Sequence, residues 1–190
     1  MRSNTVADQL NLPNILSIVR IGTAPVLVVL LLAPDRFLSV VSAALFALVC
    51  VTDWLDGYLA RKRGIITALG KFLDPLADKI LITTAFIMLI PLGRAPAWAV
   101  ALMISREIAV TGLRAIATSS GVVIAASRLG KLKTVSQIVC LVPLIIHYPV
   151  FGIDFHLIGT VLLYGAFFLT MWSGLDYFLG FFRQHNLPDD

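Results

Sequence analysis

Apolar positions along the chain fall into long runs, separated by short breaks that hold most of the proline and charge. The first segment is mixed. Asn11, Asn14, Ser17 and Arg20 are interleaved with Leu10, Leu12, Ile15, Leu16, Ile18 and Val19, and the apolar positions recur at helical spacing. This predicts an amphipathic helix over about 11–22, lying at a membrane interface, with Pro13 in its first turn. Longer runs predict membrane spans over 23–33, 37–59, 69–90, 97–118, 133–148 and 156–182, the first of which borrows from the preceding segment to reach spanning length. Pro34-Asp35, Pro91 to Pro96 and Pro149 to Asp154 read as turns, and Pro75 is expected near a helix start, where proline does least harm. The expected fold is all-α: one domain over 1–190, an integral membrane six-transmembrane-helix bundle with an N-terminal interfacial amphipathic helix.

Composition agrees. The 190 residues are 58% hydrophobic and 14% charged, against about half and a quarter in soluble domains. Of fifteen Lys and Arg, only Arg36 and Arg94 fall in loops on one side of the expected bundle. The positive-inside asymmetry puts both termini, and the chain segment around 53–78, on the cytoplasmic side. No small-residue cleavage motif follows the first apolar run, only Ala33-Pro34-Asp35, so that run is expected to be retained. Cys50 and Cys140 both lie in apolar runs and read as packing residues. His147 and His156 flank the turn far from the acids, and Trp98, Trp172 and Tyr177 read as interface or packing aromatics.

Four acids stand out. Asp53 and Asp56 are three apart at the end of one span; Asp74 and Asp78 are four apart at the start of the next. On helices each pair shares a face, so two helices meeting at their polar ends gather four carboxylates. Such a cluster demands a cation, and oxygen-only ligands point to Mg²⁺ or Mn²⁺ as a pair. A second group, Ser105-Arg106-Glu107 through Arg114, places charge well inside span four; Arg106 and Arg114 are eight apart and face the same way. Arg106 and Glu107, being adjacent, point apart, so a mutual pair is not expected. Lys131 and Lys133 add positive charge at the same membrane face, and together these four cations suit a phosphate.

The acid stretch reads D-x2-D-G-x2-A-R-x8-G-x3-D-x3-D, matching at every position. In this it resembles the CDP-alcohol phosphatidyltransferase family. The resemblance implies a CDP-diacylglycerol donor, attack of an alcohol on its lipid-side phosphate, and loss of CMP. It further implies Asp53, Asp56 and Asp74 as metal ligands, and Asp78 as both metal ligand and general base. For the CDP pocket it implies Asp53, Gly57, Ala60 and Arg61, with Thr67 and Gly70 in the connecting loop. The stretches Asn11 to Arg20, Ser105 to Arg114 and Gly130-Lys-Leu-Lys-Thr134 are similar to the branch that forms phosphatidylglycerophosphate. That likeness makes sn-glycerol 3-phosphate the expected acceptor, its phosphate held by Arg106, Arg114, Lys131 and Lys133. It also implies a homodimer in a bacterial inner membrane, with no nucleic-acid partner. Acceptors that share the motif are inositol phosphate, serine and phosphatidylglycerol. A cation transporter using the acids as its ion site is the rival from another class, but such sites sit near the midplane on broken helices, often in repeated halves, and no repeat is found.

Overall fold

The computed structural model describes residues 12–33, 35–63, 68–119 and 128–185. Six helices account for nearly all of them: α1 (Leu12–Leu32), α2 (Arg36–Arg63), α3 (Ala68–Leu89), α4 (Ala97–Ser119), α5 (Arg128–Ile146) and α6 (Phe155–His185). The described residues form no strand beyond one isolated bridge, Val150 to Ile153, in the α5–α6 turn. Four of the helices, α1, α2, α5 and α6, are long and apolar enough to cross a membrane. The other two, α3 and α4, carry Asp74, Asp78 and Lys79, and Arg106, Glu107 and Arg114, which dilute their apolar character.

Two expectations change in detail. The amphipathic segment and the first span form one continuous helix, Leu12–Leu32, whose inward positions keep helical spacing from Ser17 through Arg20, Thr23, Ala24 and Leu27 to Leu31. Pro75 is the eighth residue of α3 rather than a first-turn proline. Its missing N–H falls two turns inside the helix, where the Lys71 carbonyl cannot receive the usual bond.

The core is made by Leu27 and Leu31 of α1, Phe46 of α2, Leu81 and Phe86 of α3, Met103 of α4, Leu141 and Leu144 of α5, and Leu163 of α6. Lipid chains are as apolar as leucine, so close packing and interhelical hydrogen bonds hold such a bundle together. Gly159 shows the first. A Cβ there would stand 2.9 Å from the Leu144 backbone nitrogen, so only glycine lets α6 approach α5 this closely. Gln137 and Thr170 show the second, with Nε2 donating to Oγ1 at 3.2 Å inside the α5–α6 contact.

At the end away from the acids the turns are stitched together. Arg94, 4% exposed, donates to the Ile145 carbonyl at 2.6 Å and to Ser39 Oγ, and its guanidinium lies 5.5 Å from the Tyr148 ring centroid. Arg36 donates to the Pro149 carbonyl at 2.6 Å. His147 and His156 meet here, ring centroids 4.7 Å apart. Both cysteines are free, Cys140 buried and Cys50 half-buried, as packing residues would be.

Candidate active site

At the other end, α1 packs against both α2 and α3. Asp53 is on α2 and Asp78 on α3, and both turn to one group, the Arg20 guanidinium of α1. Arg20 Nη1 donates to Asp78 Oδ1 at 2.8 Å, and Nη2 pairs with Asp53 Oδ1. Arg20 is 3% exposed. Two carboxylates from different helices thus converge on one positive charge. Arg20 supplies their counter-charge, and the carboxylates themselves are hard oxygen donors of the kind that Mg²⁺ or Mn²⁺ takes.

The remaining motif residues lie on the same two helices. Asp56, Gly57, Ala60 and Arg61 occupy the last turns of α2, and Gly70 and Asp74 the first turns of α3. The backbone is helical through both acid pairs, so each pair shares a helix face. Thr67 lies outside the described residues, as do the side chains of Asp56, Ala60, Arg61 and Asp74. Among the described residues no three His, Cys, Asp or Glu side chains come together as a metal site.

Beside Asp78 opens a cavity of about 200 Å³ between α3, α4, α5 and α6. Arg106, Arg114 and Lys133 line it, and Lys79 joins them. Four cations face two carboxylates, Asp78 and Glu107, so the cavity is net positive. Lys131 is not among the lining residues; it is exposed on α5 while Lys133 is buried. Residues two apart on a helix point to nearly opposite sides, so only one of the two lysines faces in.

Glu107 organises the cations. Its Oε1 accepts from Arg106 Nη1 at 3.1 Å and pairs with Lys133 Nζ from α5. The adjacent Arg106–Glu107 pair, not expected from helix geometry, therefore forms, because both long side chains bend toward the same gap. Arg106 Nη2 also donates to Ser173 Oγ at 2.8 Å, while its Nε is buried without a partner among the described residues. Lys79 Nζ donates to Thr111 Oγ1. Arg114 lies over the Tyr177 ring, 5.3 Å from its centroid.

Arg20, Lys79, Thr111, Ser173 and Tyr177 were not expected at this site. A sequence signal existed for Arg20, the one charge in the stretch from Leu10 to Ala33. Tyr177, read as an interface or packing aromatic, is instead 7% exposed and lines the cavity. Trp98 and Trp172 are outward-facing as expected, with Trp98 edge-on to Phe167 at 5.3 Å.

Comparison with known proteins bears on this arrangement. The sequence model of the CDP-alcohol phosphatidyltransferase family matches residues 10–172. The chain is 42% identical over 180 residues to the CDP-diacylglycerol–glycerol-3-phosphate 3-phosphatidyltransferase of Bacillus subtilis strain 168, covering 88% of this chain and 93% of that protein. A protein of the same name from Rickettsia typhi is 38% identical over 169 residues, covering 88% and 95%. Another, from Salmonella choleraesuis, is 37% identical over 175 residues, covering 89% and 93%.

Proposed function

The chain belongs to the CDP-alcohol phosphatidyltransferase family, and on that premise we propose that it transfers the phosphatidyl group of CDP-diacylglycerol to sn-glycerol 3-phosphate, giving phosphatidylglycerophosphate and CMP. The observation that carries the choice of acceptor is the cavity, which sets Asp78 beside Arg106, Arg114 and Lys133. A carboxylate able to take a proton stands next to a positive wall suited to a phosphate.

Asp53, Asp56, Asp74 and Asp78 are the residues to hold two Mg²⁺ or Mn²⁺ ions, which when bound supply neutralisation of the donor diphosphate and of the departing CMP. Arg20 keeps Asp53 and Asp78 turned toward each other. Gly57, Ala60, Arg61, Thr67 and Gly70, with Asp53, receive the CDP moiety. Arg106, Arg114, Lys133 and Lys79 hold the acceptor phosphate, and Lys131 serves as a membrane-face anchor. Asp78 takes the proton of the acceptor's primary hydroxyl as that oxygen bonds to the lipid-side phosphorus and the bond from phosphorus to the CMP oxygen breaks.

The protein is integral to the membrane. In this reading all six helices span it, with the start of α1 at the interface. Both termini and the site face the cytoplasm of a bacterial inner membrane, where the lysine and arginine excess lies. The chain works as a homodimer. The test is an acceptor panel: purified protein, CDP-diacylglycerol and Mg²⁺ or Mn²⁺, with sn-glycerol 3-phosphate, glycerol, inositol phosphate, serine and phosphatidylglycerol compared by CMP release. CMP release with sn-glycerol 3-phosphate well above the others is expected; a better rate with any other acceptor refutes the assignment.

A further inference from the structure

Tyr177 has a polar atom that none of the described cavity residues uses. Its hydroxyl is buried and has no hydrogen-bond partner among the described residues. The residue lines the cavity, and Ser173, one turn earlier on the same α6 face, is already committed: it accepts from Arg106 and donates to the Thr170 carbonyl at 3.2 Å. A buried tyrosine hydroxyl ordinarily finds a partner, because leaving it dry and unpaired costs free energy. Here the ring is held under the Arg114 guanidinium, so the hydroxyl is fixed relative to the wall that receives a phosphate.

This inference rests on the glycerol-phosphate reading above. A three-carbon acceptor brings three polar groups into the cavity. The phosphate is matched by cations and the reacting hydroxyl by Asp78. The secondary hydroxyl between them is uncharged and can both donate and accept, as a phenol can. We propose that Tyr177 is a specificity-determining residue whose hydroxyl hydrogen-bonds the non-reacting secondary hydroxyl of sn-glycerol 3-phosphate, and so selects it over phosphorylated alcohols that lack that group.

The experiment measures CMP release with sn-glycerol 3-phosphate and with 3-hydroxypropyl phosphate, the analogue without the secondary hydroxyl, for the wild type and Tyr177→Phe. The wild type prefers sn-glycerol 3-phosphate by about tenfold in kcat/KM, and in Tyr177→Phe the ratio falls to within about twofold of one. An unchanged ratio in the variant overturns the proposal, whatever happens to the absolute rates, and so does a wild type indifferent to the two acceptors. The hydroxyl has no partner among the described residues, so removing it does not lower the melting temperature measured without acceptor. A variant that unfolds, or melts clearly lower, shows a structural partner and also overturns the proposal. If the wild type uses sn-glycerol 3-phosphate but the ratio does not move, only Tyr177 is misassigned. If it does not use sn-glycerol 3-phosphate at all, the acceptor reading itself fails.

Discussion

Arg20 Nη1 donates to Asp78 Oδ1 at 2.8 Å across 58 residues of chain, and the same guanidinium pairs with Asp53. The two halves of the acid motif are therefore held to each other through a third helix. Arg20→Ala leaves two carboxylates facing one another without their counter-charge. The acid side chains are 35% and 42% exposed, so the loss lies between that of a surface pair and that of a buried one, roughly 1–3 kcal/mol. Thermal unfolding in EDTA should show a lower melting temperature for Arg20→Ala. Arg20→Lys, which keeps the charge but loses the fork, should fall between it and wild type. Added Mn²⁺ should stabilise the alanine variant more than the wild type, because a cation then supplies the missing charge. Equal Mn²⁺ effects on the two proteins would count against Arg20 as the counter-charge of these two acids.

The acids themselves give the next outcome. Asp53→Asn or Asp74→Asn should abolish CMP release, and EDTA should do the same to the wild type. Asp78→Asn should lower turnover by about 10²–10⁴ while changing CDP-diacylglycerol binding far less, because it removes a proton acceptor but leaves some coordination. Turnover within about twofold of wild type would remove Asp78 from the role of base. Full activity in saturating EDTA would falsify the metal assignment.

What could be read in the sequence followed from regular periodicity. The acid spacings define helix faces, and the apolar runs became helices, joined by turns at Pro91 to Pro96 and Pro149 to Asp154. What could not be read depends on which way a residue faces across helices distant in sequence. Lys79 follows Asp78 directly, yet adjacent residues on a helix are about 100° apart, so Asp78 meets Arg20 of α1 while Lys79 meets Thr111 of α4. The choice of Lys133 over Lys131 was available from the same arithmetic. Arg94 looked like an ordinary loop charge, and only the packed turns reveal it as a buried anchor.

That anchor separates stability from chemistry. Arg94→Met removes donors from Ser39 and the Ile145 carbonyl and leaves the carbonyl buried. A loss of about 2–4 kcal/mol is expected, seen as an earlier thermal transition. Since Arg94 lies at the end of the bundle away from the acids, both substrate KM values of the folded fraction should stay near wild type. A selective rise in one KM would show coupling between the two ends.

Among the cations, Arg114→Ala and Lys133→Ala should each raise the acceptor KM with little change in the donor KM. A charge-assisted bond of about 1.5–3 kcal/mol corresponds to roughly a 10- to 150-fold loss in kcat/KM. Lys79→Ala should act in the same direction, and Lys131→Ala should have a smaller effect than Lys133→Ala. Steady-state CMP release with each substrate varied in turn measures this. If Lys131→Ala proved the more damaging, the exposed lysine rather than the cavity wall would be holding the phosphate.

Gly174 provides a test that removes no polar group. A Cβ at this position would stand 2.9 Å from Arg106 Cγ and 3.0 Å from its Nε. Real side chains essentially never approach so closely, so Gly174→Ala must push Arg106 aside by some tenths of an ångström. The stem of Arg106 is fixed by its bonds to Ser173 and Glu107, so the displacement is passed on to the guanidinium. Its bonds to Ser173, to Glu107 and to an acceptor phosphate cannot then all keep good geometry. The helix itself gains from alanine, by about 1 kcal/mol of propensity, so α6 is not weakened by the change. The acceptor KM should therefore rise several-fold while the donor KM and the melting temperature hold or improve. Arg106→Lys, which keeps charge but not the fork, should show the same selective loss. Combining it with Gly174→Ala should cost little more than either change alone, because both act through one guanidinium. Losses that multiply in the double variant would mean that Gly174 shapes the cavity by a route other than Arg106.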